Sequence, residues 1–356
     1  MRQRNIISLA VLVLTLALSG GCQRMPEPDA GSGTISFSTR SLQLTTGVTK
    51  GGTTKEGTNF ADDGTDSFAV FGWHSEGEGD KWIFNNQEVT CGTVTESRNE
   101  TTYDPPQPWE WANNTTDYYD FIAFYKWKSG SYIKSASPTT VHVPYDATVE
   151  QYDLMAAGMR RLGSATDPIE IVPLTFQHLL CAVKVIVYND SDEKSFNLTA
   201  LHFKGLVVSD VAQLSLTDPP AITVNWVDPA VNTSLPLFGF DAESPSSPKT
   251  VAHDESVSWP DGGLNGNYNL LVPQTLTASA KLEMDYWYSN GGIKNKTLSL
   301  GLSTVPNEAD GRLLTTWAAG HKYEYQIHIR VDGGVVVTVI TTKWDAVEAQ
   351  THGIML

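Results

Sequence analysis

The feature that most constrains this chain is a strict alternation of apolar and polar residues that recurs in many short segments. In residues 323–331, every odd position is apolar or aromatic and every even position is polar. Successive side chains of a β-strand point to opposite faces of a sheet, so this period of two predicts strands with one face in a core. The alternation assigns Tyr325, Ile327 and Ile329 to the buried face of this strand, and Glu324, Gln326 and Arg330 to its outer face.

Turn residues separate these segments along the chain. An Asp-Gly-Gly turn joins 323–331 to 335–340, and an Asn-Gly-Gly turn joins 281–286 to 294–302, which predicts two hairpins. Further strands are predicted at 35–39, 68–73, 121–127, 139–143, 173–188 and 198–206. Only residues 150–162 have a pattern compatible with a helix, and Gly158 weakens it. We therefore expect an all-β protein, because short strands joined by turns pack as sandwiches or barrels.

The N-terminal segment predicts export and lipid attachment. Two arginines precede an uncharged apolar run over residues 6–18, which is short for a membrane span but typical of a signal peptide. Small residues follow this run and end at Cys22. Bacterial lipoproteins are cleaved before a cysteine in such a position, and the cysteine is then acylated. Ser19 occupies the place where the usual motif has an aliphatic residue, so cleavage with Cys22 unmodified is the alternative. We expect a signal peptide over 1–21, palmitate on Cys22 and a polar tether over 22–33.

Charge and length limit the partners and the architecture. The chain has 356 residues and a formal net charge of -16, which excludes nucleic acid as a partner because phosphates require a basic face. A chain of this length usually exceeds one hydrophobic core, so two domains are expected. The polar segment 189–194 is the best candidate linker. It predicts domains over 34–190 and 191–356.

No motif for catalysis, a cofactor or a metal is present: the sequence has no G-x-S-x-G, HExxH, Walker, GxGxxG or C-x-x-C pattern. We therefore predict neither an enzyme nor a cofactor. Residues 62–66 resemble a calcium loop in composition but lack the distal Glu of an EF-hand, so we interpret them as an acidic turn. His178 lies in a strand-like apolar segment, where we expect a buried, hydrogen-bonded side chain rather than a ligand or a base.

Two features leave alternatives open. Cys91 and Cys181 could form a disulfide in an exported protein, but the apolar run around Cys181 favours a buried thiol. Four aromatic residues cluster in a stretch rich in Pro and Asn, where they either cap a core or offer rings that stack on a glycan. These four residues are Trp109, Trp111, Tyr118 and Tyr119.

Seven short segments also follow one another in a recognisable order. They are Phe68-Ala-Val-Phe-Gly-Trp73, Tyr119-Asp-Phe-Ile-Ala-Phe-Tyr125, Asp153-Leu-Met-Ala-Ala157, Pro173-Leu-Thr-Phe-Gln-His178, Leu271-Val-Pro-Gln274, Trp317-Ala-Ala-Gly-His-Lys-Tyr323 and Lys343-Trp344. This ordered set resembles the fimbrillin family, the pilus subunits and related surface lipoproteins of Bacteroides-type bacteria, although Gln177 replaces a common Lys. The resemblance implies two tandem β-sandwich domains of transthyretin-like, Greek-key type.

The resemblance further implies a mechanism of assembly. Family subunits reach the outer membrane as lipoproteins, and a trypsin-like protease cuts after a basic residue and removes the first strand. A terminal strand of the next subunit then fills the groove. Here the removable strand would carry Ile35, Phe37 and Thr39 on its inner side. Cleavage would follow Lys50, Arg40 or Lys55. The strand that fills the groove would be the C-terminal tail with Ile354, Met355 and Leu356. The alternative interpretation of this tail is a frayed terminus.

The implied location is the cell surface, in a fimbrium attached to the outer membrane by the lipid anchor. Other pilus subunits are the implied partners, and the shaft, tip and anchor roles remain open. A surface lipoprotein of the same fold that does not polymerise, but binds a glycan or a host ligand, is the alternative.

Overall fold

The computed structural model describes residues 36–41, 67–76, 79–95, 98–103, 118–127, 133–134, 139–149, 152–162, 171–191, 195–217, 221–232, 235–236, 248–259, 268–288, 296–330 and 334–344. The first strands are β1 Ser36–Ser41, β2 Ser67–Glu76, β3 Gly79–Thr95, β4 Arg98–Thr102, β5 Tyr118–Tyr125, β6 Ile133–Lys134, β7 Thr140–Asp146, β8 Met155–Leu162, β9 Ile171–His178, β10 Cys181–Asp190, β11 Phe196–Lys204 and β12 Leu206–Leu216. The later strands are β13 Ile222–Trp226, β14 Ala230–Asn232, β15 Leu235–Pro236, β16 Lys249–Val251, β17 Ser256–Trp259, β18 Asn269–Leu271, β19 Gln274–Thr275, β20 Lys281–Tyr288, β21 Lys296–Gly301, β22 Thr316–Trp317, β23 His321–Arg330 and β24 Val335–Lys343. A short 3-10 helix, Leu302–Thr304, follows β21.

The predicted all-β fold is confirmed, and so is the predicted assignment of β23 side chains to a buried face and an outer face. Tyr325, Ile327 and Ile329 are each 0% exposed, whereas Arg330 is exposed. Glu324 and Gln326 are half-buried on the outer face. The two predicted hairpins are also present, since β23 pairs antiparallel with β24 and β20 pairs antiparallel with β21. Within the described ranges, no helix has the length and apolar character needed to cross a membrane.

Seven strands close into a barrel in the order β1-β4-β3-β2-β5-β8-β9. Neighbouring strands in it are antiparallel, except for β1 and β9, which are parallel. Alternate side chains of these strands fill the interior with large apolar groups. This barrel core contains Phe37, Phe68, Val70, Ile83, Phe84, Val89, Cys91, Tyr119, Phe121, Ala123, Tyr125, Met155, Ala157, Val172, Leu174 and Phe176.

A second, larger core lies outside this barrel and shares a wall with it. Along β5, Phe121 and Ala123 face the barrel core, whereas Ile122 and Phe124 belong to the second core. A strand with both faces buried carries a nearly continuous apolar run, which explains the composition of β5. Three five-stranded sheets complete the second core: β17-β10-β23-β24 with β18, β15-β11-β20-β21 with β16, and β13-β12-β7-β6 with β14.

The helix-compatible pattern of residues 150–162 is misleading, because Met155–Leu162 is strand β8 and pairs with β5. Met155 and Ala157 belong to the barrel core and Ala156 to the second core, so burial on both faces removes the alternation that marks other strands. Gly158 permits a close approach of the neighbouring layer. A Cβ atom at this position would lie 2.8 Å from Cδ1 of Leu216.

Strand pairing crosses the predicted domain boundary near residue 190. Strand β12 pairs with β7 from Ser209↔Asp146 to Ser215↔Thr140, and β10 pairs with the distant β23. The division into 34–190 and 191–356 therefore stays a prediction, which separate expression of the two pieces checks.

Candidate functional site: the first strand and its groove

Strand β1 is the element that closes the barrel. It pairs in parallel with β9 over six residues, from Ser36↔Ile171 to Ser41↔Phe176. On its other side it meets β4 at a single pair, Thr39↔Asn99. The hydroxyl of Thr101, also on β4, donates a hydrogen bond to the Phe37 carbonyl. The strand is therefore held along one edge by a full ladder and along the other by few bonds.

The side chain of Phe37 anchors β1 in the barrel core, where it is 2% exposed. Its ring lies edge-on to three others, with centroid distances of 5.5 Å to Phe84, 5.9 Å to Tyr103 and 5.7 Å to Phe121. Burying a phenylalanine contributes roughly 1.5–3 kcal/mol, and each favourable aromatic pair about 0.5–1.5 kcal/mol more. One side chain therefore supplies much of the attachment of this strand.

The groove that β1 occupies is apolar at its base and bounded by polar backbone. The base carries Phe84 and Phe121, which are both buried, and the half-buried Tyr103. Burial disfavours the charged phenolate and raises the pKa of Tyr103 to about 12. Along the rim, β9 presents the backbone groups that now pair with β1. An empty groove would expose both surfaces to water, which makes it a template for another strand.

The structure places three of the predicted assembly residues. Phe37 lies in the barrel core, Thr39 pairs with Asn99 and Leu174, and Arg40 lies within β1 opposite Thr175. The other predicted residues lie outside the described residues: Cys22, Ile35, Lys50, Lys55, residues 62–66, Trp109, Trp111, Ile354, Met355 and Leu356.

Of the four clustered aromatic residues, the structure describes Tyr118 and Tyr119, and these two differ in exposure. Tyr119 is 1% exposed and stacks on His74 with a centroid distance of 4.4 Å, so its ring belongs to the core. Tyr118 is half-buried beneath the guanidinium of Arg160, 4.6 Å from its centroid. Arg160 also donates two hydrogen bonds to the buried carboxylate of Asp120, at 2.7 and 2.9 Å. A glycan contact in this region stays a prediction.

His178 is buried and hydrogen-bonded, as predicted. Its exposure is 5%, its Nδ1 lies 3.0 Å from an oxygen of Asp153, and its ring stacks on Trp344 with a centroid distance of 4.3 Å. Asp153 lies just before the barrel strand β8 and His178 is the last residue of the barrel strand β9, whereas Trp344 directly follows β24. This trio therefore fixes the end of the last strand against the barrel.

The two cysteines lie in different cores and do not form a disulfide. Cys91 is buried inside the barrel, and Cys181 is buried in the second core, where its thiol donates a hydrogen bond to the Leu271 carbonyl at 3.3 Å. Desolvation raises the pKa of the Cys181 thiol, because the thiolate is disfavoured in an apolar interior.

Metal-ligating side chains do not converge in the part of the chain that the structure describes: no group of three or more His, Cys, Asp or Glu side chains there could hold an ion. The pairing of Asp120 with Arg160, and of Asp153 with His178, was not predicted. The partners are far apart in the sequence. The only signal was a polar residue inside an apolar run, as at Asp120.

Known proteins resemble this chain in sequence pattern and in fold. A family model described as fimbrillin-like matches residues 53–344. No curated protein matches the chain. A candidate cell adhesion protein from Bacteroides ovatus has 11% identity and a TM-score of 0.48, over 88% of this chain and 98% of its own. Another from Bacteroides uniformis has 15% identity and a TM-score of 0.45 over the same shares. The tip fimbrial protein Mfa3 from Porphyromonas gingivalis has 8% identity and a TM-score of 0.36, over 87% of this chain and 99% of its own.

Proposed function

From the premise that this chain belongs to the fimbrillin-like family, we propose that it is a structural subunit of a cell-surface pilus. Family membership supports a fimbrial or adhesin-like subunit at the cell surface, with a structural rather than a catalytic role. The observation that carries the proposal is the attachment of β1, a short strand that closes an apolar groove and depends heavily on Phe37.

In this proposal β1 is a temporary occupant of the groove. Arg40 lies within the bonded strand, so a protease reaches its peptide bond only after β1 detaches. Cleavage after Lys50 or Lys55, by contrast, severs the chain between β1 and β2. The severed strand is then held by its backbone ladder with β9, by its contacts with β4 and by Phe37. A strand from a second subunit with better apolar side chains displaces it, which is growth by strand addition.

The proposed donor is the C-terminal tail, residues 345–356. It follows directly after Trp344, and its last residues, Ile354 and Leu356, alternate as a strand in a groove requires. The groove has space for one large apolar side chain at the position that Phe37 now fills. We propose that one of these two side chains takes that position.

Attachment to the outer membrane is proposed to depend on a lipid on Cys22. Replacing Cys22 by Ser should abolish labelling with palmitate and move the protein from the membrane fraction to the soluble fraction. A Cys22→Ser protein that still takes up label and sediments with membranes would show that the anchor lies elsewhere.

Assembly is tested with two variants of the full chain. Changing Arg40, Lys50 and Lys55 together to Ala should leave uncleaved monomer and no ladder of polymers on a gel run without boiling. Deleting residues 346–356 should leave cleavage intact but abolish the ladder. A matched control replaces three exposed basic residues far from the groove, Lys249, Lys281 and Arg312, and should polymerise normally.

Two outcomes would contradict the proposal. If the triple variant polymerises, cleavage at these residues is not the trigger; if the shortened chain polymerises, the donor strand lies elsewhere. Wild-type protein that is cleaved by trypsin but stays monomeric would favour the alternative, a surface lipoprotein that binds a glycan or a host ligand without polymerising.

A further inference from the structure

A cavity of about 480 Å³ opens where the end of β9 meets β13 and the β23–β24 hairpin. This volume falls within the range of roughly 300–1,000 Å³ that is usual for small-molecule sites. Apolar and polar groups both line it, including Trp226, Pro273, Gln177, His178, His321 and Lys343. Among the residues that the structure describes, no carboxylate lines it, although acidic residues outnumber basic ones in the chain.

The register of the hairpin brings two of these basic groups together. His321 on β23 is paired directly with Lys343 on β24, so the two side chains share one face. Two residues further along β23 the same face buries Tyr323, and after another two it buries Tyr325. His321 and Lys343 therefore lie at the rim of the second core, where it opens to the cavity.

Several hydrogen-bond donors at the cavity have no partner in the described ranges. Across the residues that the structure describes, the ammonium of Lys343 forms no ion pair. The amide of Gln177 and the indole N–H of Trp226 form no hydrogen bond there either. His321 uses Nδ1 to contact the Ala319 carbonyl at 2.8 Å. The cavity therefore combines a cation, neutral donors and a half-buried aromatic ring.

We propose that this cavity binds an acidic sugar, such as a hexuronic acid residue of a polysaccharide. The carboxylate of the sugar accepts a charge-assisted hydrogen bond from Lys343, and its ring lies against Trp226. Gln177 donates to a ring hydroxyl. A neutral sugar would leave Lys343 without its partner, and an inorganic anion would leave the aromatic surface uncovered.

This site is separate from the groove of β1. Phe176 is the last β9 residue that pairs with β1, and Gln177 and His178 lie beyond it. We therefore expect the cavity of the uncleaved monomer to bind the sugar whether or not β1 occupies its groove.

The test uses two probes that differ only at C6, methyl β-D-glucuronide with a carboxylate there and methyl β-D-glucoside with a neutral hydroxymethyl group. Titration calorimetry on the purified full chain should show that the glucuronide binds about two- to fivefold more tightly, since Lys343 is exposed and an exposed ion pair contributes about that factor. Lys343→Gln should bring the two affinities together, and Trp226→Ala should weaken both. The control variant, Lys281→Gln, changes an exposed lysine on β20 and should bind like the wild type.

The proposal fails if neither probe binds, or if both bind the wild type equally. It also fails if Lys343→Gln retains the preference for the glucuronide. Should Trp226→Ala unfold the protein, as its circular dichroism would show, Lys343→Gln alone still decides the matter, because Lys343 is exposed. Raising the salt concentration should lower the affinity for the glucuronide but not that for the glucoside, because salt screens the interaction between charges.

Discussion

Replacing Phe37 by Ala offers the sharpest test of the idea that β1 detaches on its own. The ring is almost fully buried and contacts three other rings, so its removal should cost about 3–5 kcal/mol. If β1 leaves while the rest of the barrel stays folded, this whole loss falls on the opening of the groove. The open population should then rise by a factor between roughly 10² and 5 × 10³.

Trypsin cleavage of the native protein measures that population. The backbone of Arg40 and Ser41 is paired with β9, so cleavage after Arg40 requires β1 to leave the sheet. When opening and closing are fast compared with cleavage, the cleavage rate follows the open population. Mass spectrometry of the time course should therefore show cleavage after Arg40 accelerated by about 10²-fold or more in Phe37→Ala. Cleavage after Lys50, between β1 and β2, should change much less.

The matched control is Phe68→Ala, which removes a ring from the same core. Phe68 lies on β2, between β3 and β5, and its centroid is 5.4 Å from that of Phe176. Its loss should lower the free energy of global unfolding without a comparable gain in cleavage after Arg40. If Phe37→Ala speeds that cleavage less than about tenfold, or only as much as Phe68→Ala does, β1 does not detach independently.

Three further predictions concern the folded scaffold. Gly205→Ala should lower the free energy of unfolding in urea by at least about 2 kcal/mol, because φ is +64° and the new Cβ would lie 2.3 Å from the Ser279 carbonyl oxygen. The control is Gly311→Ala, where φ is +68° but a Cβ would meet no atom within 4 Å, so the free energy of unfolding should fall by only about 1–2 kcal/mol. Arg160→Ala should cost about 2–3 kcal/mol in the same assay, since the buried Asp120 carboxylate loses both its charged donors. Burial raises the pKa of Tyr103 and of Tyr323 to about 12, above the ordinary value of about 10. The stability that these tyrosines contribute should therefore be complete below pH 10 and lost as the pH rises through 12, in step with phenolate absorbance.

The sequence predicts strands best where one face of a sheet meets the core and the other meets water. The alternation in β23 is of this kind, and both its burial and its hairpin with β24 follow from the pattern. In the first part of β8 both faces are buried, so the apolar residues Met155, Ala156 and Ala157 follow one another without alternation and imitate a helical pattern. The difference between the two strands is therefore one of tertiary burial, which local composition does not encode.

The candidate sites divide in the same way. A short strand at β1 and an inward Phe37 are local features, and the sequence predicts both. The parallel ladder from Ser36 to Ile171 joins segments far apart in the chain, so no local pattern specifies it. The cavity is even less predictable from local sequence, because Gln177, Trp226 and Lys343 lie on three different strands. Only the pairing of those strands brings the side chains together.

The parallel pairing of β10 with β23 also sets an order of events during folding. Ala182 pairs with Lys322 and Asp190 with Arg330. Strand β10 is therefore synthesised well before β23, the strand with which it pairs. Contacts between such distant segments form slowly, because a long loop must close before they contribute. A chain that is still being synthesised would therefore keep one edge of β10 unpaired until β23 has been made. An unpaired strand edge is a template for aggregation, so the completion of β23 ends the interval in which this chain is most exposed to it.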